Sequence, residues 1–142
     1  MSNRTRKNHR VYANHTKKAR GGPCEFCNFS VEQDQVLETS KNFWVVKNIF
    51  PYDIWDTAGV KNHLMIVPKR HVDSIAHFTP AERQDYMSNL AKYESKGFSI
   101  YARAATNKIK SVAHQHTHLI ETDNHIKRYL FFISKPHMLF TK

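Results

Sequence analysis

Along the chain, apolar residues recur first with the period of a strand, then with that of a helix, then with that of strands again, and proline or glycine marks the switch points. Phe43-Trp44-Val45-Val46 is a β-rich run that ends at Lys47-Asn48. Pro51 forbids a central ladder position just after it, so the stretch through Asp53, Trp55, Asp56 and Gly59 is expected to be a loop. His63-Leu64-Met65-Ile66-Val67-Pro68 is apolar on both faces and closed by proline, which predicts a central strand covered on each side. Thr79-Pro80-Ala81-Glu82 has the form of a capping box, with Thr79 as N-cap, Pro80 at N1 and Glu82 at N3. Tyr86, Met87, Leu90 and Tyr93 then recur at helical spacing as one core-facing stripe, and Gly97 is placed to end the helix in a left-handed conformation. Phe98 to Ala104 alternates as a half-exposed strand should. Tyr129-Leu130-Phe131-Phe132-Ile133 is a further β-rich run, and His137-Met138-Leu139-Phe140 reads as a packed tail. Residues 31–41 are too polar to predict an element. The sum is an α+β domain, an antiparallel sheet of about five strands with one main helix.

The 142 residues suit one domain, set at 23–142, without internal repeats. Residues 1–22 differ in kind. They hold Arg4, Arg6, Lys7, Arg10, Lys17, Lys18 and Arg20 and no acid, so seven of the net +10 charges lie here. Composition of this sort reads as a flexible basic arm: a solubilising tail, an electrostatic contact for nucleic acid or another polyanion, or a mitochondrial presequence without its apolar stripe. No secretory h-region and no apolar run of membrane-spanning length is present, which points to a cytoplasmic protein. In a reducing compartment the pair Cys24 and Cys27 suggests metal or redox chemistry before a structural disulfide.

The chemistry concentrates in His114-Gln115-His116-Thr117-His118-Leu119-Ile120. On a strand, every second side chain falls on one face, so three imidazoles line up there and Gln115 and Thr117 face the other way. Neighbouring imidazoles can share a metal, or one can attack a substrate while the others position it. The short knuckle Gly22-Pro23-Cys24-Glu25-Phe26-Cys27 lets both thiolates reach one ion. With His63 and His114 they would form a closed tetrahedral Cys2His2 set of the structural zinc type. His116 is then the unligated imidazole, able to act as nucleophile or base near neutrality. His118, Ser111, Lys110 and the amides of the loop before the strand offer donors and positive charge to an anion, and phosphorus chemistry suits them best.

The heptad from His114 to Ile120 resembles the signature of the histidine triad (HIT) superfamily of nucleotide hydrolases and transferases. Cys24-Glu25-Phe26-Cys27, Asn48-Ile49-Phe50-Pro51-Tyr52 and the run from His63 to Val72 resemble family segments in the family's order, so the likeness extends from Cys24 to Ile120. It implies a HIT-like fold, a nucleotidyl-His116 intermediate, phosphate contacts from His118 and Ser111, and a ribose contact from Asn48. It also implies zinc on Cys24, Cys27, His63 and His114, and a homodimer. The sequence departs from the family pattern at Ile109-Lys110, which replaces Gly-Gln, at Gln115 and Thr117, which replace apolar residues and suggest a less buried strand back, and in a longer Pro51–His63 loop.

The expected function is therefore cleavage at the α-phosphate of a nucleotide conjugate: a phosphoramidate, a dinucleoside polyphosphate or an adenylylated nucleic-acid end. Two alternatives remain open. One is a zinc-stabilised module of the same fold that binds nucleotide or nucleic acid without turnover. The other is a metalloenzyme with catalytic zinc on two or three of the triad histidines.

Overall fold

The computed structural model describes residues 3–19, 21–126, 128–131 and 138–141. In order, the elements are helix α1 (Arg6–Ala19), strands β1 (Val36–Thr39), β2 (Phe43–Lys47), β3 (Ile54–Trp55) and β4 (Ala58–Pro68), helix α2 (Pro80–Glu94), and strands β5 (Ser99–Ala102), β6 (Thr117–Ile126), β7 (Arg128–Phe131) and β8 (Met138–Thr141). Six strands form one antiparallel sheet in the order β1-β2-β4-β6-β5, with β3 paired to β4, and β7 and β8 form a separate antiparallel pair. This is the expected α+β class, with one more strand in the sheet and a second helix.

Strand β4 lies between β2 and β6, as its two apolar faces predicted. On one face Phe43, Val45, Ile66 and Leu119 pack with Phe78, Tyr86 and Tyr93 beneath α2. On the other, Val46, Met65 and Val67 pack with Phe26 and Phe29 of the knuckle. Helix α2 begins where its capping box does: the Glu82 amide donates to Thr79 Oγ1, and the Thr79 amide donates back to the Glu82 carboxylate. Gly97 takes φ +88°, which closes that end as expected. Met87 is the exception on the stripe, 61% exposed, because α2 leans on the sheet through Tyr86 and Tyr93.

Three further expectations need correction. The stretch after Pro51 contains a hairpin: Asp56 and Thr57 both take positive φ, as a two-residue type I′ turn requires, and connect β3 to β4. Residues 36–39 form the edge strand β1, whose polarity reflects its exposure at the rim. The back of the histidine stretch is fully buried, Gln115 and Thr117 each at 1% exposure, because polar partners replace the apolar ones. Thr117 Oγ1 meets Tyr86 Oη at 2.7 Å, and Gln115 Oε1 accepts from Lys110 Nζ at 3.0 Å. Of the two C-terminal runs, Phe132, Ile133 and His137 lie outside the described residues.

Composition marked residues 1–22 as a flexible arm, but residues 6–19 are helical and docked. The carboxylate of Asp53 sits at the helix start, accepting from the Thr5 amide at 2.6 Å and from Asn8 Nδ2 at 2.7 Å. A carboxylate there complements the helix dipole, as do Lys17 and Lys18 in the last turn. Tyr12 and His15 pack on Phe50. These are long-range contacts, which a reading of local composition does not contain. Among the described residues no helix is long and apolar enough to cross a membrane.

Candidate active site and metal centre

Register decides which histidines meet. β4 and β6 run antiparallel with His63 opposite Ile120, Met65 opposite His118 and Ile66 opposite Thr117. The start of β4 is therefore remote from His114, and the residues beyond its end are near it. His71, three residues past Pro68, completes a group with Cys24, Cys27 and His114 whose ligand atoms all lie within 4.8 Å of one another. The expected ligand His63 is not among them.

The fit to zinc is geometric. Bond lengths of about 2.3 Å to sulfur and 2.0–2.1 Å to nitrogen in a tetrahedron require ligand separations of about 3.6 Å. Here Cys24 Sγ and Cys27 Sγ lie 3.5 and 3.6 Å from His114 Nδ1, and Cys27 Sγ lies 3.1 Å from His71 Nδ1. His114 Nε2 donates to the Pro68 carbonyl at 2.9 Å, leaving the Nδ1 lone pair facing the thiols. His71 is aimed by its neighbours: Arg70 forks onto Glu82 at 2.9 and 2.7 Å, and the Gln115 amide donates to the Val72 carbonyl at 2.6 Å. The four residues fit a structural tetrahedral ion.

His63 has a different task. The Tyr52 amide donates to its Nδ1 at 3.0 Å, so the His63 proton sits on Nε2, which meets His118 Nδ1 at 2.9 Å. His118 Nδ1 is thereby an acceptor, and the remaining His118 proton sits on Nε2. That nitrogen is buried and has no partner. Burial holds all these rings neutral: it lowers the pKa of His63 to about 3 and that of His116 to about 4, and pushes that of His118 well below its ordinary value.

His116 stands just before β6 rather than within it, as does His114, so only His118 is a strand residue. His116 Nδ1 donates to the His114 carbonyl at 2.8 Å, which leaves the Nε2 lone pair free. Its ring is gripped edge-on by Phe26 at 5.2 Å and by His118 at 5.1 Å. Both rings line an open cavity of about 1610 Å³, together with Asn48, Lys110 and Ser111. Asn48 Oδ1 accepts from the Phe50 amide at 2.9 Å. Ser111 is exposed on the rim. Lys110 is turned aside, its ammonium donating to the Asp73 carbonyl at 2.7 Å as well as to Gln115.

Residues 31–125 match the family model described as HIT domain. The chain belongs to the HIT domain family. Two solved structures share the fold: a HIT family hydrolase from Legionella pneumophila Philadelphia 1 has a TM-score of 0.50 at 21% identity, over 68% of this chain and 90% of that one. A protein described as Hit Like Protein has a TM-score of 0.50 at 20% identity, over 78% of this chain and 98% of that one. No curated protein matches the sequence. The HIT domain match begins after the cysteine knuckle and after α1, so one half of the metal group and one wall of the cavity lie outside it.

The residues that sequence reasoning missed are His71, Phe26 and Tyr52. His71 becomes distinguishable from His63 only through the antiparallel pairing of the two strands, which sets His63 opposite Ile120 and so away from His114. The aromatic residues carry no chemical signature that separates them from core.

Proposed function

We propose that this HIT domain protein is a nucleotidyl hydrolase or transferase that cleaves at the α-phosphate of a nucleotide conjugate through His116. The observation that carries the reading is a neutral imidazole, its Nδ1 tied to the His114 carbonyl, standing beside a buried N–H donor of His118 that has no partner. His116 Nε2 would attack phosphorus with its lone pair as the bond to the leaving group breaks, giving a phosphoramidate. His118 Nε2–H would donate to a non-bridging oxygen as charge gathers there. Water would then displace the imidazole, releasing the nucleoside monophosphate. Asn48 is proposed to hold the ribose and Ser111 a phosphate oxygen at the rim.

Zinc on Cys24, Cys27, His71 and His114 would supply a cross-link between the knuckle and the sheet. The ligand set has no open position, which supports a structural ion and disfavours catalytic zinc on the triad. Arg6, Lys7, Arg10, Lys17 and Lys18 are all exposed on α1, which supports contact with nucleic acid or another polyanion. A homodimer and a cytoplasmic location complete the reading.

A second reading, nucleotide binding without turnover, is favoured by Lys110. Its ammonium is engaged by Asp73 and Gln115, and Ile109 beside it is 71% exposed. Intact-protein mass spectrometry after brief mixing with adenosine phosphoramidate or diadenosine tetraphosphate separates the two. A transient nucleotidyl adduct in wild type, absent from folded His116→Ala, is the expected result. Affinity without adduct or product would select the binding module, and turnover that survives in His116→Ala would overturn the mechanism.

A further inference from the structure

Arg103 is the first residue after β5. Ala102 pairs with Thr117, so the next step along the chain sets Arg103 level with His116. Two rings hold the guanidinium: Nη1 donates to Tyr52 Oη at 3.3 Å, and its carbon lies 5.2 Å from the Tyr101 centroid. Both rings also lie against His118, at 5.6 and 5.9 Å between centroids. The cation is therefore built into the wall of the histidine cluster and is not a surface residue that happens to reach it.

What it lacks is a counter-charge. No carboxylate among the described residues forms an ion pair with Arg103. Its Nε is buried and without a hydrogen-bond partner. A half-buried guanidinium without a carboxylate partner is costly in the free protein, and an anion in the cavity would supply the missing counter-charge. The second idle buried donor among the described side chains is His118 Nε2. Arg103, His118 and the nucleophile His116 all line the same cavity.

We propose that Arg103 binds an anionic leaving group, so that the substrates of this site are nucleoside phosphoric anhydrides in preference to conjugates whose leaving group is a neutral amine. The inference rests on the nucleotidyl-transfer reading. In an anhydride, His116 Nε2 forms the N–P bond while the P–O bond to the next phosphate breaks. The departing oxygen keeps the electron pair and needs no proton, because the guanidinium neutralises it. An amine leaving group brings no charge for Arg103 to meet and requires a proton as it departs. His118 Nε2–H serves the non-bridging oxygens in either case, so Arg103 is what separates the two classes. Arg has the geometry for the task, since its planar fork matches phosphate oxygens two at a time.

The test compares kcat/KM for diadenosine tetraphosphate and for adenosine 5′-phosphoramidate in wild type, Arg103→Gln, Arg103→Lys and Tyr52→Phe, each checked for its melting temperature. Wild type should favour the tetraphosphate. Arg103→Gln should lower the ratio between the two substrates by about 10²-fold, of the order seen when one charge-stabilising donor is lost. Arg103→Lys should restore part of it, and Tyr52→Phe, which removes the hydrogen bond but not the charge, should keep the preference. Equal losses on both substrates, or the same shift in Tyr52→Phe, would reduce Arg103 to a structural role and overturn the proposal. If neither substrate turns over, the nucleotidyl-transfer reading fails by itself, and calorimetry with inorganic pyrophosphate decides the anion site. Affinity that weakens at least 10-fold in Arg103→Gln supports the site; equal or undetectable binding removes it.

Discussion

His116 Nδ1 and the carbonyl oxygen of His114 lie 2.8 Å apart, so the residue at one end of the metal group fixes the tautomer of the proposed nucleophile. Burial lowers the His116 pKa to about 4. The attacking form is the neutral one, so kcat/KM should stay level from neutrality down to about pH 5 and fall only as His116 takes up a proton below that. A descending limb centred near the ordinary histidine value of 6.5 would show that another group controls the reaction.

The metal centre predicts one zinc per chain. Cys24→Ser and His71→Ala should each lose it, whereas His63→Gln should retain it, which tests the ligand exchange between His63 and His71 directly. Chelation should lower the melting temperature by about 10 °C, since a structural ion contributes to folding. Elemental analysis with thermal unfolding reads both quantities, and full zinc content in His71→Ala would remove His71 from the site.

His63 should make the fold acid-sensitive. Its folded pKa is lowered to about 3 by burial, against 6.5 for an unperturbed histidine. Between those values the unfolded chain binds the additional proton, so stability falls as pH drops through that window and is fully present above it. The contribution of one such group is at most about 1.4 kcal/mol per pH unit. Urea unfolding of His63→Gln should show a shallower decline from pH 6.5 to 4.5 than wild type, and parallel declines would contradict the assignment.

Behind the histidines, Tyr86 and Thr117 share a buried hydrogen bond of 2.7 Å between α2 and the start of β6. Tyr86→Phe strands the Thr117 hydroxyl and should cost about 1–3 kcal/mol. Adding Thr117→Val removes the stranded group, and the double variant should recover part of that loss. Denaturant titration of the three proteins measures it. Additive losses would mean that the pair is not coupled.

Much of this was legible because the informative residues act locally. Thr79, Pro80 and Glu82 announce a helix start through bonds spanning three residues, and the unbroken apolar run from Leu64 to Val67 reports a strand covered on both sides without knowledge of its neighbours. The failures share one cause. His63 and His71 look equivalent until the antiparallel pairing of β4 and β6 is known, and pairing is a long-range property. Asp56-Thr57 forms a tight turn that lacks the glycine by which such turns are recognised. Residues 6–19 contain too much charge to predict order, yet Asp53, forty-odd residues on, supplies the carboxylate that begins the helix.

That helix is also fastened to the reactive centre. Arg4 donates to the Phe50 carbonyl at 2.7 Å and lies between the Tyr12 and Tyr52 rings, 4.1 and 4.7 Å from their centroids, while the backbone of Tyr52 orients His63. Trimming residues 1–22 as a dispensable leader, or fusing a bulky tag against Arg4, would therefore disturb the cavity wall and loosen the residue that sets the His63 proton. Such a preparation would keep residues 31–125 of the HIT domain match and still present a different cavity to any ligand.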